Sequence, residues 1–273
     1  MHPSLQMQLH IHAERHKGDT HMDPLNLLIL IIALLYGLVI GSFLNVCIYR
    51  IPEGKTVVTE RSHCMKCGYQ LSWYDMIPVV SWLALRGRCR KCKAKISAQY
   101  PLIEAANGIL YVAVFLACGV TWTSVIYCLL GSALIVLSVI DFRTYEIPFG
   151  INVFILVLGL IHMVLDIHNW SNYVIGLLAV SVPLGIILLV SKGRAIGGGD
   201  VKLMAAAGLL LGWEKILLAL IIGCIAGSVL HIIRMKVAGA DRVLAMGPYL
   251  ALGILLSALW GDALIAWYLT AML

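Results

Sequence analysis

Two aspartates sit at the edges of apolar runs. Asp141 closes the run in LSVIDFRTYEIPF just before Arg143, and Asp200 follows Gly197, Gly198 and Gly199 in AIGGGDVKLMAAAGLLLGW. Charge at the mouth of an apolar helix is costly, so its presence asks for a role. Two carboxylates folded to within about 3 Å of each other share one proton, one serving as base toward a water and the other as acid toward a carbonyl oxygen. That is aspartic-protease chemistry. The glycine run starts a helix with little side-chain bulk, so an extended peptide backbone can approach Asp200 closely. The plainer reading is that each aspartate ends its helix at the water interface. Spacing alone, 59 positions, leaves both readings open.

A second constellation is Cys64, Cys67, Cys89 and Cys92, spaced C-x2-C-x21-C-x2-C. Each C-x2-C forms one knuckle that offers two thiolates to a tetrahedral metal, and zinc is the expected ion. Four thiolates leave no open position for water, which makes the expected role structural. Two disulfides or four free thiols are the alternatives. A reducing cytosol, where the orientation below places these residues, favours metal. The four cysteines lie in a polar insert, residues 50–100, with ten Lys and Arg against Glu53, Glu60 and Asp75. Such a balance suits contact with anionic lipid headgroups. The stretch LSWYDMIPVVSWL, Leu71 to Leu83, reads as the insert's own core, resting on the bilayer surface.

The elements that must position these groups are membrane helices. The chain has 273 residues, is 61% hydrophobic and only 12% charged, which no water-soluble domain of this size carries. The expected fold class is an all-α polytopic membrane protein with about eight transmembrane helices and a small four-cysteine zinc-binding insert. Spans read as 25–49, two crossings within 105–140 that turn near 119–123, then 147–167, 170–191, 200–213, 214–233 and 244–272. The 200–213 segment is short, and 244–272 contains Asp262. All but Arg15, Lys17 and Lys215 of the 20 Lys and Arg then fall on one side, which becomes the cytoplasmic side. Both aspartates come out at that boundary. In the first span Gly37 and Gly41 form a GxxxG, a signal for close helix contact. Cys47, Cys118, Cys128 and Cys224 lie on apolar helices and read as packing residues.

Residues 1–21 hold five of the nine histidines and no apolar run, and read as a tag-like or alternative-start extension. The expected organisation is that extension, a first transmembrane helix at 22–49, the insert at 50–100 and a helical catalytic region at 101–273. No cleavable signal peptide is expected, because the first apolar segment is long enough to span and lacks a small-residue cleavage pattern.

Five motifs in order resemble the bacterial type IV prepilin leader peptidases, GxGD-type membrane aspartic proteases. They are GSFLNVCIYRIP (Gly41 to Pro52), the four-cysteine segment from Arg61 to Glu104, DFRTYEIP (Asp141 to Pro148), GGGDVKLMAAAG (Gly197 to Gly208) and MGPYLALG (Met246 to Gly253). The resemblance implies that Asp141 and Asp200 are the catalytic pair, with Gly197, Gly199 and Lys202 in support. It implies removal of a short basic leader from prepilins or pseudopilins at the cytoplasmic face of a bacterial inner membrane. Members with the four-cysteine loop are similar to enzymes that also N-methylate the new N-terminus with S-adenosylmethionine. No methyl-donor pocket is legible, and no nucleic-acid partner is expected. Neither the particular pilins cut nor the oligomeric state can be read.

Two positions depart from the family pattern. Phe149 follows the Pro of DFRTYEIP where an acidic or amide residue is common, which leaves Asp141 as the carboxylate there and Glu146 a poor substitute. Met65 replaces a frequent Pro in the first knuckle. Lys202, two residues after Asp200, does not share its helix face; snorkelling toward headgroups, or favouring ionisation through space, are its candidate roles. Rival functions are a proton- or cation-coupled carrier using the two aspartates, which would call for inverted repeats that are not visible, and a non-enzymatic pilus assembly factor.

Overall fold

The structure, a computed structural model, describes residues 23–58, 61–238 and 244–272. The extension at 1–21 and Glu60 lie outside the described residues. The fold is helical throughout, with α1 Pro24–Arg50, α2 Val80–Ala84, α3 Gln99–Cys118, α4 Trp122–Thr144, α5 Phe149–Leu165, α6 Trp170–Ala179, α7 Ser181–Val190, α8 Gly198–Leu211, α9 Trp213–Ala238 and α10 Gly247–Met272. Among the described residues six stretches are long and apolar enough to cross a membrane: α1, α3, α4, Ile167–Val190, Trp213–Val237 and α10. The protein is a multi-pass membrane protein. The shorter α5 and α8 have 17 and 14 residues, below the length that crosses a bilayer unaided.

Local sequence explains where these helices begin and end. Pro24 opens α1, where its missing N–H costs nothing. Gly119 closes α3 with φ 67°, and the Thr121 hydroxyl caps α4 by accepting the Ser124 N–H at 3.1 Å. The turn falls at 119–121, inside the expected window. The segment expected as one span at 170–191 is broken at Val180 into α6 and α7. Pro183 is the cause: it has no N–H for the Ala179 carbonyl, and its ring crowds that carbonyl. Ser181 offers its hydroxyl to the Leu177 carbonyl at the same break.

Helix packing sets the architecture. Two thirds of the α4 core window is buried (67%), against 22% for α1, so α4 is the hub of the bundle. The GxxxG of α1 packs backbone to backbone on α3: a Cβ at Gly37 would stand 2.8 Å from Gly108 Cα, and one at Gly41 2.7 Å from Glu104 Cα. Asn107 seals this contact by donating to the Gly37 carbonyl at 2.7 Å, and its amide oxygen accepts the Ser132 hydroxyl of α4 at 2.8 Å. Such small-residue contacts and interhelical hydrogen bonds replace the hydrophobic driving force, which is absent between helices in lipid. Cys47 and Cys128 are buried, Cys118 is half-buried, and Cys224 is exposed on α9, so that last cysteine does not pack as expected.

One end of the bundle gathers the ends of α1 and α4 with the starts of α3, α5, α8 and α10. Arg143 donates to Gln99 and lies 5.0 Å over the Tyr49 ring, which stacks on Tyr100 at 5.7 Å. The insert sits at this end. At the other end Lys215 pairs with Asp262 at 2.7 Å, and Asp166 accepts the Tyr173 hydroxyl at 2.7 Å.

Candidate active site and metal centre

Asp141 occupies the last turn of α4, where the helix presents its negative end and a carboxylate is disfavoured. Its compensation comes from α10. The Gly247 N–H donates to Asp141 Oδ2 at 2.9 Å, and Asp141 is only 4% exposed. Gly247 opens α10 ahead of Pro248, so this bond satisfies a first-turn N–H that the helix itself cannot use. A Cβ at Gly247 would lie 2.6 Å from that carboxylate oxygen. The MGPYLALG motif by itself gives Gly247 no role; its local signal is a Gly-Pro pair that opens an apolar run.

Asp200 is the third residue of α8, and Gly197 is its N-cap. Its carboxylate turns back over Gly197, where a Cβ would stand 3.0 Å from Oδ2. At Gly199 a Cβ would press on Ile147 Cβ at 3.0 Å, whereas one at Gly198 would meet only Leu188 at 3.9 Å. Of the three glycines, Gly197 and Gly199 are therefore the ones where a side chain would press on its neighbours. Below them Asn152, 4% exposed, donates to the Gly199 carbonyl at 3.4 Å and holds the start of α8 against α5.

Asp141 and Asp200 line one pocket of about 300 Å³, together with Tyr145, Glu146, Ile147, Gly197, Gly198 and Gly199. Tyr145 closes α4 in the left-handed region at φ 57°, with its N–H on the Asp141 carbonyl at 2.8 Å. This cap turns the chain back so that Glu146 and Ile147 form a wall. Lys202 points elsewhere, its Nζ 5.4 Å over the Phe149 ring. The residue that departs from the family pattern thus receives that lysine through a cation–π contact.

The insert forms two matching knuckles. Cys64 N–H donates to the Tyr69 carbonyl and Gly68 N–H to the Cys64 carbonyl, both at 2.9 Å; Cys89 N–H to Ala94 and Lys93 N–H to Cys89 repeat the pattern at 2.8 and 3.0 Å. Gly68 and Lys93 hold the same left-handed position, φ 68° and 59°. The four sulfurs lie within 4.8 Å of one another, with Cys64 and Cys92 Sγ 3.8 Å apart. A tetrahedral thiolate site with metal–sulfur bonds of about 2.3 Å needs sulfurs roughly 3.8 Å apart, so the cluster has the size of a metal centre. The backbone N–H groups of Cys67 and Lys66 lower the Cys64 thiol to about 6. At Cys67 the Tyr69 N–H acts the same way, but desolvation and the neighbouring sulfurs, Cys92 foremost, prevail and push it up to about 11.

Around the cysteines, Asp75 accepts from Arg90 at 2.7 Å and Trp82 donates to the Ile96 carbonyl at 3.3 Å. Trp73, Val80 and Leu83, expected in the insert's core, are 75%, 60% and 61% exposed. An insert this small has too few residues to cover them. Glu104 of α3, 7% exposed, ties the insert down by accepting the Val79 N–H at 2.7 Å. Val79 has φ 60° and ψ −50°, and the Val80 N–H closes on the Pro78 carbonyl at 2.5 Å. That is a γ-turn of the rare, strained hand, at a β-branched residue.

Comparison with known proteins fits this geometry. The profile of the type IV leader peptidase family matches residues 128–232, and that of the bacterial peptidase A24 N-terminal domain matches residues 35–118. A prepilin leader peptidase/N-methyltransferase of Stutzerimonas stutzeri is 34% identical over 87% of this chain and 92% of its own length. The chain belongs to the type IV leader peptidase family. Relatives with the same name in Aeromonas hydrophila and Myxococcus xanthus are 33% and 35% identical, covering 86% and 74% of this chain and 92% and 62% of theirs. No solved structure matches the chain. Within the family's span lie both aspartates and all four cysteines.

Proposed function

We propose that this leader peptidase family member is a membrane aspartic endopeptidase that removes the basic leader from type IV prepilins or pseudopilins. The observation that carries the reading is the shared pocket of Asp141 and Asp200 at the end of the bundle that bears the insert. The substrate backbone runs over Gly197 to Gly199 with its scissile carbonyl between the carboxylates. The ionised aspartate takes a proton from water, and the oxygen attacks the carbonyl carbon. The protonated aspartate gives its proton to the carbonyl oxygen. Collapse of the tetrahedral adduct breaks the C–N bond: the proton taken from water passes to the leaving amine, and one hydroxyl of the adduct returns its proton to the other aspartate, which restores the pair. Gly247 positions Asp141; Gly197 and Gly199 let α8 present Asp200.

Both short helices, α5 and α8, cross the membrane in this reading, giving eight crossings with the insert in the cytoplasm. Residues 50–100 form the insert domain and 101–273 the catalytic region. The four cysteines hold one structural zinc ion, which supplies a cross-link between the knuckles and no chemistry. The same protein N-methylates the newly exposed amino group, with S-adenosylmethionine as donor; no residue is assigned to that donor.

The test is incubation of the purified protein with a prepilin and labelled methyl donor, followed by mass analysis of the product's first residue. Asp141→Asn and Asp200→Asn should each lower cleavage by about 10⁴-fold or more while expression and helix content stay unchanged. Unchanged processing by either variant would overturn the reading.

A further inference from the structure

A second pocket, of about 310 Å³, adjoins the first. Its walls include Ile51, Pro52, Ile140, Ile147 and Phe149, and its one acidic residue is Glu146. Glu146 and Ile147 also line the carboxylate pocket, so a single turn of chain divides two neighbouring subsites. Among the described residues the Glu146 carboxylate has no hydrogen-bond or ion-pair partner; only its backbone carbonyl is engaged, by the Thr144 hydroxyl at 3.4 Å. Two cations nearby in the fold are occupied elsewhere, Lys202 over Phe149 and Arg143 on Gln99 and Tyr49.

A slot of mixed lining, with the apolar side chains of Ile51, Ile140, Ile147 and Phe149, the Thr144 hydroxyl and one unpartnered carboxylate at its edge, suits a long cationic side chain, whose methylenes pack on the apolar walls while its head meets the anion. Ile51 and Pro52 mark the insert end of α1, so the slot opens on the side from which the leader arrives. We infer that this slot is the subsite for a Lys or Arg side chain of the leader close to the scissile bond, with Glu146 as its counter-charge. The inference rests on the peptidase reading above. It assigns Glu146 to substrate selection, outside the proton transfers.

The experiment compares two full-length prepilins that differ only in the leader Lys or Arg nearest the cleavage site, native or replaced by Gln, with wild-type protein, Glu146→Gln and Glu146→Asp. Wild type should show a KM about fivefold lower for the basic leader, a difference in the range of a partly exposed charge pair. Glu146→Gln should bring that ratio to about one, and Glu146→Asp should restore part of it. A ratio unchanged by Glu146→Gln, or absent in wild type, overturns the inference and leaves the peptidase reading standing. Failure of wild type to cut either prepilin overturns both. Should Glu146→Gln be inactive on both substrates, Glu146→Ala decides in its place: a ratio near one supports the inference, and a ratio kept at the wild-type value overturns it.

Discussion

Gly247 and Asp141 stand 106 positions apart and share one hydrogen bond, from the backbone N–H of the first residue of α10 to Oδ2 of a carboxylate at the end of α4. Hydrogen bonds of this kind contribute roughly 0.5–1.5 kcal/mol, and here the donor is fixed by a helix start. The bond restrains the aspartate's rotamer and sets its carboxyl group at the positive end of a helix dipole. Gly247→Ala puts a methyl group 2.6 Å from the carboxylate oxygen. Something must move, and kcat/KM should fall by about 10²-fold, the scale of an ångström-sized misplacement of a reacting group. Gly150→Ala, whose Cβ would meet nothing within 4 Å, is the matched control in the same assay.

The four-cysteine cluster makes a second prediction. Changing Cys64 and Cys67 together to Ser removes one knuckle's thiolates, and elemental analysis of the purified variant should show the loss of about one zinc per chain. Cys224→Ser, on the outer face of α9, should leave the metal content unchanged. Hydrogen exchange across residues 61–97 should rise in the double variant, because with no strands in the described insert the cross-link carries much of its order.

Glu104 links that insert to the membrane bundle. Its carboxylate accepts the N–H of a valine held in a strained γ-turn, and a turn of this kind persists only where its surroundings over-determine it. Glu104→Ala removes the acceptor and leaves the Val79 N–H unsatisfied, a change of about 1–3 kcal/mol. Limited proteolysis within residues 76–82 should become faster in that variant, while zinc content stays at the wild-type value. Equal protease resistance in the two proteins would show that the γ-turn stands without Glu104.

At the far end of the bundle Asp166 predicts a pH dependence of stability. Asn169 donates to both its carboxylate oxygens, at 3.1 and 3.0 Å, and Tyr173 donates at 2.7 Å. These bonds hold its pKa below the ordinary carboxylate value. A group depressed in the folded state adds stability above its unfolded pKa, about 3.9, and loses it as pH falls through the lower folded value. Thermal unfolding in detergent should therefore find wild type more stable than Asp166→Asn by about 1 kcal/mol at neutral pH. The gap should close on acidification below about pH 4.

Several of these features were legible in the primary structure. The apolar runs, the turn at 119–121 and the paired C-x2-C units depend on local spacing, and local spacing is written in residue order. So was the GxxxG of α1, though not its partner: only packing revealed that Gly37 and Gly41 meet Glu104 and Gly108. The break at Val180 had a local signal in Pro183. How little of LSWYDMIPVVSWL would be covered was not legible, because an insert this small has too little neighbouring mass to bury its aromatics.

The order of residues by itself determined that this chain lives in a membrane and that its cysteines come as a foursome. Those are properties of composition and of neighbours within a few turns. That Asp141 and Asp200 line the same pocket, that Gly247 serves one of them, that Lys202 turns to Phe149 and that Glu146 lines two adjoining pockets were decided only when α4, α5, α8 and α10 converged. The reason is physical: contacts between groups 59 or 106 positions apart depend on how whole helices cross. Crossing is set by the summed fit of small residues and buried hydrogen bonds along each interface, which no single motif contains.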